Sequence, residues 1–201
     1  MVAVYFEAFG KLPTAFLFCP DTEAMIKERT QTMIDRLGEK YWKGVVATSG
    51  SIIIGGALWY LGGPNVLPLF GSTRPRDLNY NFLKPELELE LRQKRWGAIN
   101  HFLDPNHDPK VDNTANNRPH LFLCQLMVLP QYQKGGAGKA MVEWGLKMAD
   151  KQCLETYLFS EAGAVAFYKK LGFKVIGKIK VARHVWPTMM RVPQAHSVNA
   201  A

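Results

Sequence analysis

The chain is short of cysteine, of acidic charge and of long apolar runs, and each shortage argues against a class of protein. Its three cysteines, Cys19, Cys124 and Cys153, form no CxxC pair and are odd in number. They argue against a disulfide framework or a Cys-rich zinc site and suit a reducing compartment. Only 17 acidic residues stand against 25 basic ones, a net charge of +8. A polyanionic partner would fit that balance, but the basic residues are scattered with no run of five and no aromatic interleaving. A solvated basic surface is therefore the simpler reading, and no nucleic-acid partner is expected. The most apolar stretch, VVATSGSIIIGGALWYLGG, contains seven Gly or Ser residues and is soon followed by Pro64 and Pro68. It reads as two strands and a turn, so no membrane span is expected. The N-terminal MVAVYFEAFG has no basic region and no small-residue cleavage site after an apolar core, which makes the cytoplasm the default location.

What is present suits one globular domain: 201 residues, 47% hydrophobic and 21% charged. Residues 2–9 read as a short helix. PDTEAMIKERTQTMIDRLGEK reads as a longer one, capped by Asp21 or Thr22, with an apolar stripe of Met25, Ile26, Met33, Ile34 and Leu37 and a stop at Gly38. YWKGVVAT and SIIIGGALWYL predict a hairpin about a Ser-Gly turn. Residues 62–80 read as a loop, and PELELELRQKRWGAINHFLD as a helix with Pro85 in its first turn. Residues 104–119 are polar and loop-like.

The second half is more regular. HLFLCQLMV predicts a strand, PQYQK a turn, and GGAGKAMVEWGLKMADKQ a helix with Ala140, Met141, Trp144 and Met148 facing inward. ETYLFS is a strand, EAGAVAFYKKLG a helix ended by Gly172, and FKVIGKIKV and WPTMMRV are strands. The order β-α-β-α-β-β predicts an α/β fold around a mixed sheet.

The stretch QYQKGGAGKA, at 131–140, joins the first of these strands to its helix. A Walker A loop is ruled out, because Ala140 follows Gly138-Lys139 where a hydroxyl is required and Gln133 stands where the opening glycine belongs. A dinucleotide fingerprint is weak, because Met141 occupies the third glycine position. Gln133-x-x-Gly136-x-Gly138 remains. Small residues there let the backbone approach a ligand, and free N–H groups at a helix start point at an anion such as a pyrophosphate, with no metal needed.

With these residues in place, the chain resembles the GNAT superfamily of N-acetyltransferases. The resemblance lies in Leu126, Val128 and Pro130, then Gln133, Gly136 and Gly138, then Tyr168 shortly before Leu171-Gly172-Phe173. It covers residues 120–192 well and the hairpin at 43–61 loosely. It implies a single domain over 1–201: an acceptor-side half at 1–119, an acetyl-CoA-binding half at 120–192 and a tail at 193–201. The implied fold is a GNAT-type mixed central sheet flanked by helices. Because the chain begins at what reads as the first helix, the sheet is expected to lack or shorten the family's usual first strand, which would expose an edge and leave a homodimer open.

The resemblance also implies roles. Acetyl-CoA would lie between the strand ending at Val128 and the strand ending near Ser160, itself a cofactor contact. Leu126, Met127 and Val128 would line the pantetheine arm, and a Val128-region amide would polarise the thioester. The amides of Gln133, Lys134, Gly135, Gly136, Ala137, Gly138 and Lys139 would hold the pyrophosphate. Tyr168 matches the family's usual acid, a phenol near pKa ~10 just above a thiol near ~8.5. Several members place a Glu or His base at the positions of Phe122 or Cys124, and neither residue can serve that way. His120 shares their face by alternation and is the candidate base, directly or through water. Glu161, where many relatives carry Asn, could either bind CoA or have no role. The implied reaction is direct acetyl transfer to a primary amine of a small molecule. The alternatives are a protein or peptide acceptor, or a CoA-binding module without catalysis.

Overall fold

The structure is a computed structural model and describes residues 4, 8, 23–38, 40–62, 119–181 and 184–194. The helix read over 85–104 and the loops read over 62–80 and 104–119 lie almost wholly outside these residues.

Among the described residues, six strands form one mixed sheet. The hairpin pairs β1 (Trp42–Ser49) with β2 (Ile52–Gly62) and turns at Gly50, whose φ of +58° favours glycine. β3 (His120–Val128) lies antiparallel to β2 and parallel to β4 (Glu155–Phe159). β5 (Lys174–Val181) and β6 (His184–Arg191) form a second hairpin, inserted so that the order is β1-β2-β3-β4-β6-β5. The parallel β3–β4 pair needs a crossover, supplied by the helix after the glycine turn.

Helices cover both faces. α1 (Glu23–Gly38) touches β1, and its Leu37 lies directly over Gly44. Of its predicted stripe, Met33 is half-buried but Ile34 and Leu37 stay exposed, because the helix meets the sheet chiefly at this edge strand. α2 (Ala137–Lys151) and α3 (Val165–Lys170) cover the opposite face. There Trp59, Leu121, Leu123, Leu158 and Met189 pack against Met141, Val142, Leu146 and Tyr168. On the α1 face, Trp42, Leu58, Tyr60, Phe122 and Tyr157 form a second cluster. Among the described residues, no strand precedes α1, and β1 and β5 are the sheet edges.

The buried stripe of α2 differs from the one read from sequence. Met141 is buried as expected and Met148 partly so, but Ala140 and Trp144 are exposed, and Val142, Gly145, Leu146 and Ala149 face inward. The strand's Trp59 is the reason. Its indole packs against Gly145, where a Cβ would clash with the ring, so the helix turns its smallest residue to the sheet and its own tryptophan outward. At the far end of α2, Asp150 accepts two hydrogen bonds from Arg191 of β6, at 2.7 and 2.9 Å, and one from the Gln194 amide at 2.7 Å. That pair is buried and pins the helix to the distal hairpin.

Candidate functional site

The site begins where two strands part. β3 and β4 pair over four positions only, from His120↔Glu155 to Leu123↔Leu158. β3 then continues to Val128 bonded only to β2. The divergence starts at an irregularity in β3: Leu58 of β2 faces Gln125, while Trp59 faces Leu123, which leaves Cys124 as an extra residue. Such a bulge bends and twists the strand that carries it. It also switches the side-chain alternation. Leu121 and Leu123 belong to the α2-side core before it, Leu126 and Val128 after it.

The backbone beyond the bulge faces the split at alternate residues. Leu129 N–H donates to Ile54 O at 2.9 Å, so Leu129, Met127 and Gln125 turn their polar groups to β2. Leu126 and Val128 therefore present theirs to the opening. Met127 instead buries its side chain against Val4 and Leu129.

The glycine turn closes the wide end. After a single 3₁₀ turn, Pro130–Tyr132, Gln133 gives its amide N–H to Pro130 O and its side-chain NH₂ to Val128 O at 3.1 Å. Its function is thus to tie the turn to the strand, and its amide is not open to an anion. Lys134 (φ +65°) and Gly136 (φ +90°) adopt left-handed backbone, and Gly136 is the N-cap of α2. The first intrahelical bond runs from Ala140 N–H to Gly136 O, so the amides of Ala137, Gly138 and Lys139 have no intrahelical acceptor. Free N–H groups and the positive helix end converge there with no acidic residue in the first turn. Gly138 sits where three parts meet: a Cβ on it would lie 3.6 Å from Val128 Cγ2 and 4.0 Å from Leu126 Cδ2 and Phe167 Cζ. The helix start, the unpaired strand and α3 thus border one opening. The Lys134 side chain is exposed, and Lys139 pairs loosely with Glu143 at 3.6 Å.

Tyr168, next to Phe167 on α3, is buried between Phe167 and Phe173, with ring centroids at 4.9 and 5.7 Å. Burial pushes its phenol well above the ordinary value near 10. Proton donation to a thiolate is therefore uphill, contrary to the near-match read from sequence.

The other two site residues read from sequence hold different posts. Ser160 is 1% exposed, donates its hydroxyl to Glu161 O at 2.7 Å and its amide to Pro187 O at 2.9 Å, and so fastens the end of β4 to β6. Its N–H and O–H are spent internally. His120 is buried three residues before the strands part, roughly 10 Å down the strand. Its ring covers Gly62 and meets Tyr157 edge-on at 5.6 Å, while Tyr157 donates to Glu155 at 2.7 Å. The shared face with Phe122 is as expected, but the imidazole does not border the opening. Sequence reading missed the Glu155–Tyr157 link, whose signal was the alternation on β4. Glu161 accepts the Trp186 indole N–H at 3.0 Å, which ties β6 to the end of β4. Among the described residues, no cluster of His, Cys, Asp and Glu could hold a metal ion.

Residues 98–175 match the family model described as acetyltransferase (GNAT) domain. Within that segment the chain resembles a GNAT acetyltransferase domain. The solved structures agree on the architecture. A Corynebacterium glutamicum protein described as histone acetyltransferase HPA2 and related acetyltransferase superposes with a TM-score of 0.57 at 20% identity, over 98% of this chain and 91% of that one. The PaiA N-acetyltransferase of Thermoplasma acidophilum, solved with coenzyme A, gives 0.51 at 13% identity over 95% and 89%. FeeM, an N-acyl amino acid synthase from uncultured soil microbes, gives 0.51 at 11% identity over 81% and 73%. At these identities the likeness concerns the fold. No curated protein sequence matches. The mixed six-strand sheet with flanking helices is thus the GNAT fold expected from the motifs.

Proposed function

We propose that the protein transfers the acetyl group of acetyl-CoA to the primary amine of a small molecule, by direct attack in a ternary complex. The observation that carries this reading is the split itself: the Leu126 backbone and the Val128 N–H, which face the opening and not β2, leading to the amides of Ala137, Gly138 and Lys139 that have no intrahelical acceptor. A pantetheine arm has amides that can bond like a strand, and the pyrophosphate at its end suits the helix start. The donor set fits an anionic, extended thioester without a metal.

Each side of the split has its task. A backbone N–H of Leu126 or Val128 polarises the thioester carbonyl and stabilises the oxyanion as the amine attacks. The new C–N bond forms, the C–S bond breaks, and the amine sheds a proton. Tyr168, held neutral by burial, donates a hydrogen bond to the departing sulfur rather than a full proton. The sulfur then leaves as a thiolate and is protonated from solvent. The buried His120–Tyr157 contact lies away from the split, so the amine's proton passes out by water.

The deciding experiment has two parts. Calorimetry with CoA is expected to show binding. Free-thiol release from acetyl-CoA across a panel of amines and lysine peptides is expected to favour a small amine. Turnover confined to the lysine peptides would replace the acceptor half of this reading, and absence of CoA binding would remove all of it.

A further inference from the structure

One buried polar atom beside the split has no partner. The carboxamide oxygen of Gln125 is shielded from solvent and accepts no hydrogen bond. Gln125 stands two residues beyond the last β3–β4 pair, directly after the extra residue Cys124. Its cross-strand partner Leu58 belongs to the cluster with Phe122, so its side chain is on the α1 face, opposite the helix whose first turn offers the free amides. A buried acceptor left unpaired is costly, and folded chains seldom keep one without a reason.

The surroundings are apolar. Phe122 and Phe159 pack with ring centroids 5.4 Å apart on this face, and Cys124 joins them. The two nearest carboxylates in sequence on this face, Glu155 and Glu161, are engaged by the Tyr157 hydroxyl and the Trp186 indole. The face therefore offers two unpartnered polar atoms in an apolar setting, the Gln125 carboxamide oxygen beside the split and the Thr188 hydroxyl opposite Phe159, and no uncommitted counter-charge among the described residues around them.

Resting on the acetyl-transfer reading above, we propose that Gln125 is the acceptor-orienting residue: its carboxamide oxygen receives an N–H of a primary amine borne on an aromatic or aliphatic body. The chemistry favours a carboxamide here. A carboxylate would hold the ammonium form and raise its pKa, which opposes the deprotonation that attack requires. A neutral oxygen grips one N–H of the free amine and leaves its lone pair directed at the thioester. A polyamine, with further cationic centres to neutralise, finds no match on this face.

Phenethylamine and spermidine are the probes, with the full-length protein and acetyl-CoA. The wild type is expected to turn over phenethylamine with the higher kcat/KM. Gln125→Met keeps the length and apolar bulk, and is expected to raise the phenethylamine KM about tenfold while the CoA Kd stays within twofold. Gln125→Glu is expected to keep or lower that KM and to move the pH–rate profile upward, a shift that a merely structural glutamine would not produce. The proposal is overturned by a KM change below twofold in Gln125→Met, by an equal loss of CoA affinity, or by preference for spermidine. It is also overturned by a protein that binds CoA yet ignores phenethylamine. Failure to bind CoA at all instead overturns the donor reading on which it rests.

Discussion

In the proposed mechanism, the single hydroxyl of Tyr168 would link catalysis and stability. Removing it in Tyr168→Phe is expected to lower kcat about 100-fold with an unchanged CoA Kd, measured by thiol release and calorimetry. The same burial has a thermodynamic sign. The folded phenol titrates above its unfolded value near 10, so its contribution is intact below pH ~10 and is lost as pH rises toward the folded value. Urea unfolding between pH 9 and 11 is expected to show stability falling with a slope of up to about 1.4 kcal/mol per pH unit from this group, and Tyr168→Phe to remove that part. Gly136 is a second sensitive residue. Nothing crowds its missing Cβ, yet its φ of +90° strains any L side chain. Gly136→Ala is expected to cost about 1–2 kcal/mol in urea unfolding and to weaken CoA binding. The sequence marked this turn as a candidate anion cradle, because Gly136 and Gly138 fall between a strand and a helix. It did not show that Gln133 spends its side chain on Val128, because that bond exists only once the turn folds back on the strand.

At the scale of elements, the two hairpins, the crossover helix and the parallel pair were readable from periodicity and turn residues. The facing of α2 was not. Helical spacing allows the stripe containing Trp144 as well as the one containing Gly145, and only the ring of Trp59, far away in sequence, selects between them. Gly145→Val is accordingly expected to destabilise the fold by about 1–3 kcal/mol or more through overpacking, read from the urea midpoint, whereas Trp144→Ala is expected to be nearly neutral. The Asp150–Arg191 pair was equally hidden, since its partners are 41 residues apart. Asp150→Ala leaves a buried guanidinium uncompensated and is expected to cost about 3–5 kcal/mol in the same measurement.

Across the whole molecule, the sheet consists of two three-stranded halves, β1-β2-β3 and β4-β6-β5, joined by four paired positions and by the Asp150–Arg191 tie. The motifs marked the half proposed to hold the donor, but the parting after Leu123 depends on a bulge that only the β2 register exposes. Bound CoA is expected to raise the melting temperature, by a stabilisation of about 2.7 kcal/mol at a hundredfold excess over its Kd. Scanning calorimetry with and without CoA checks this. A seam filled by CoA, as proposed, leaves less strand edge open to a protease. Limited proteolysis is therefore expected to slow as CoA is added, which would make cleavage a meter of donor concentration that needs no acceptor and no turnover.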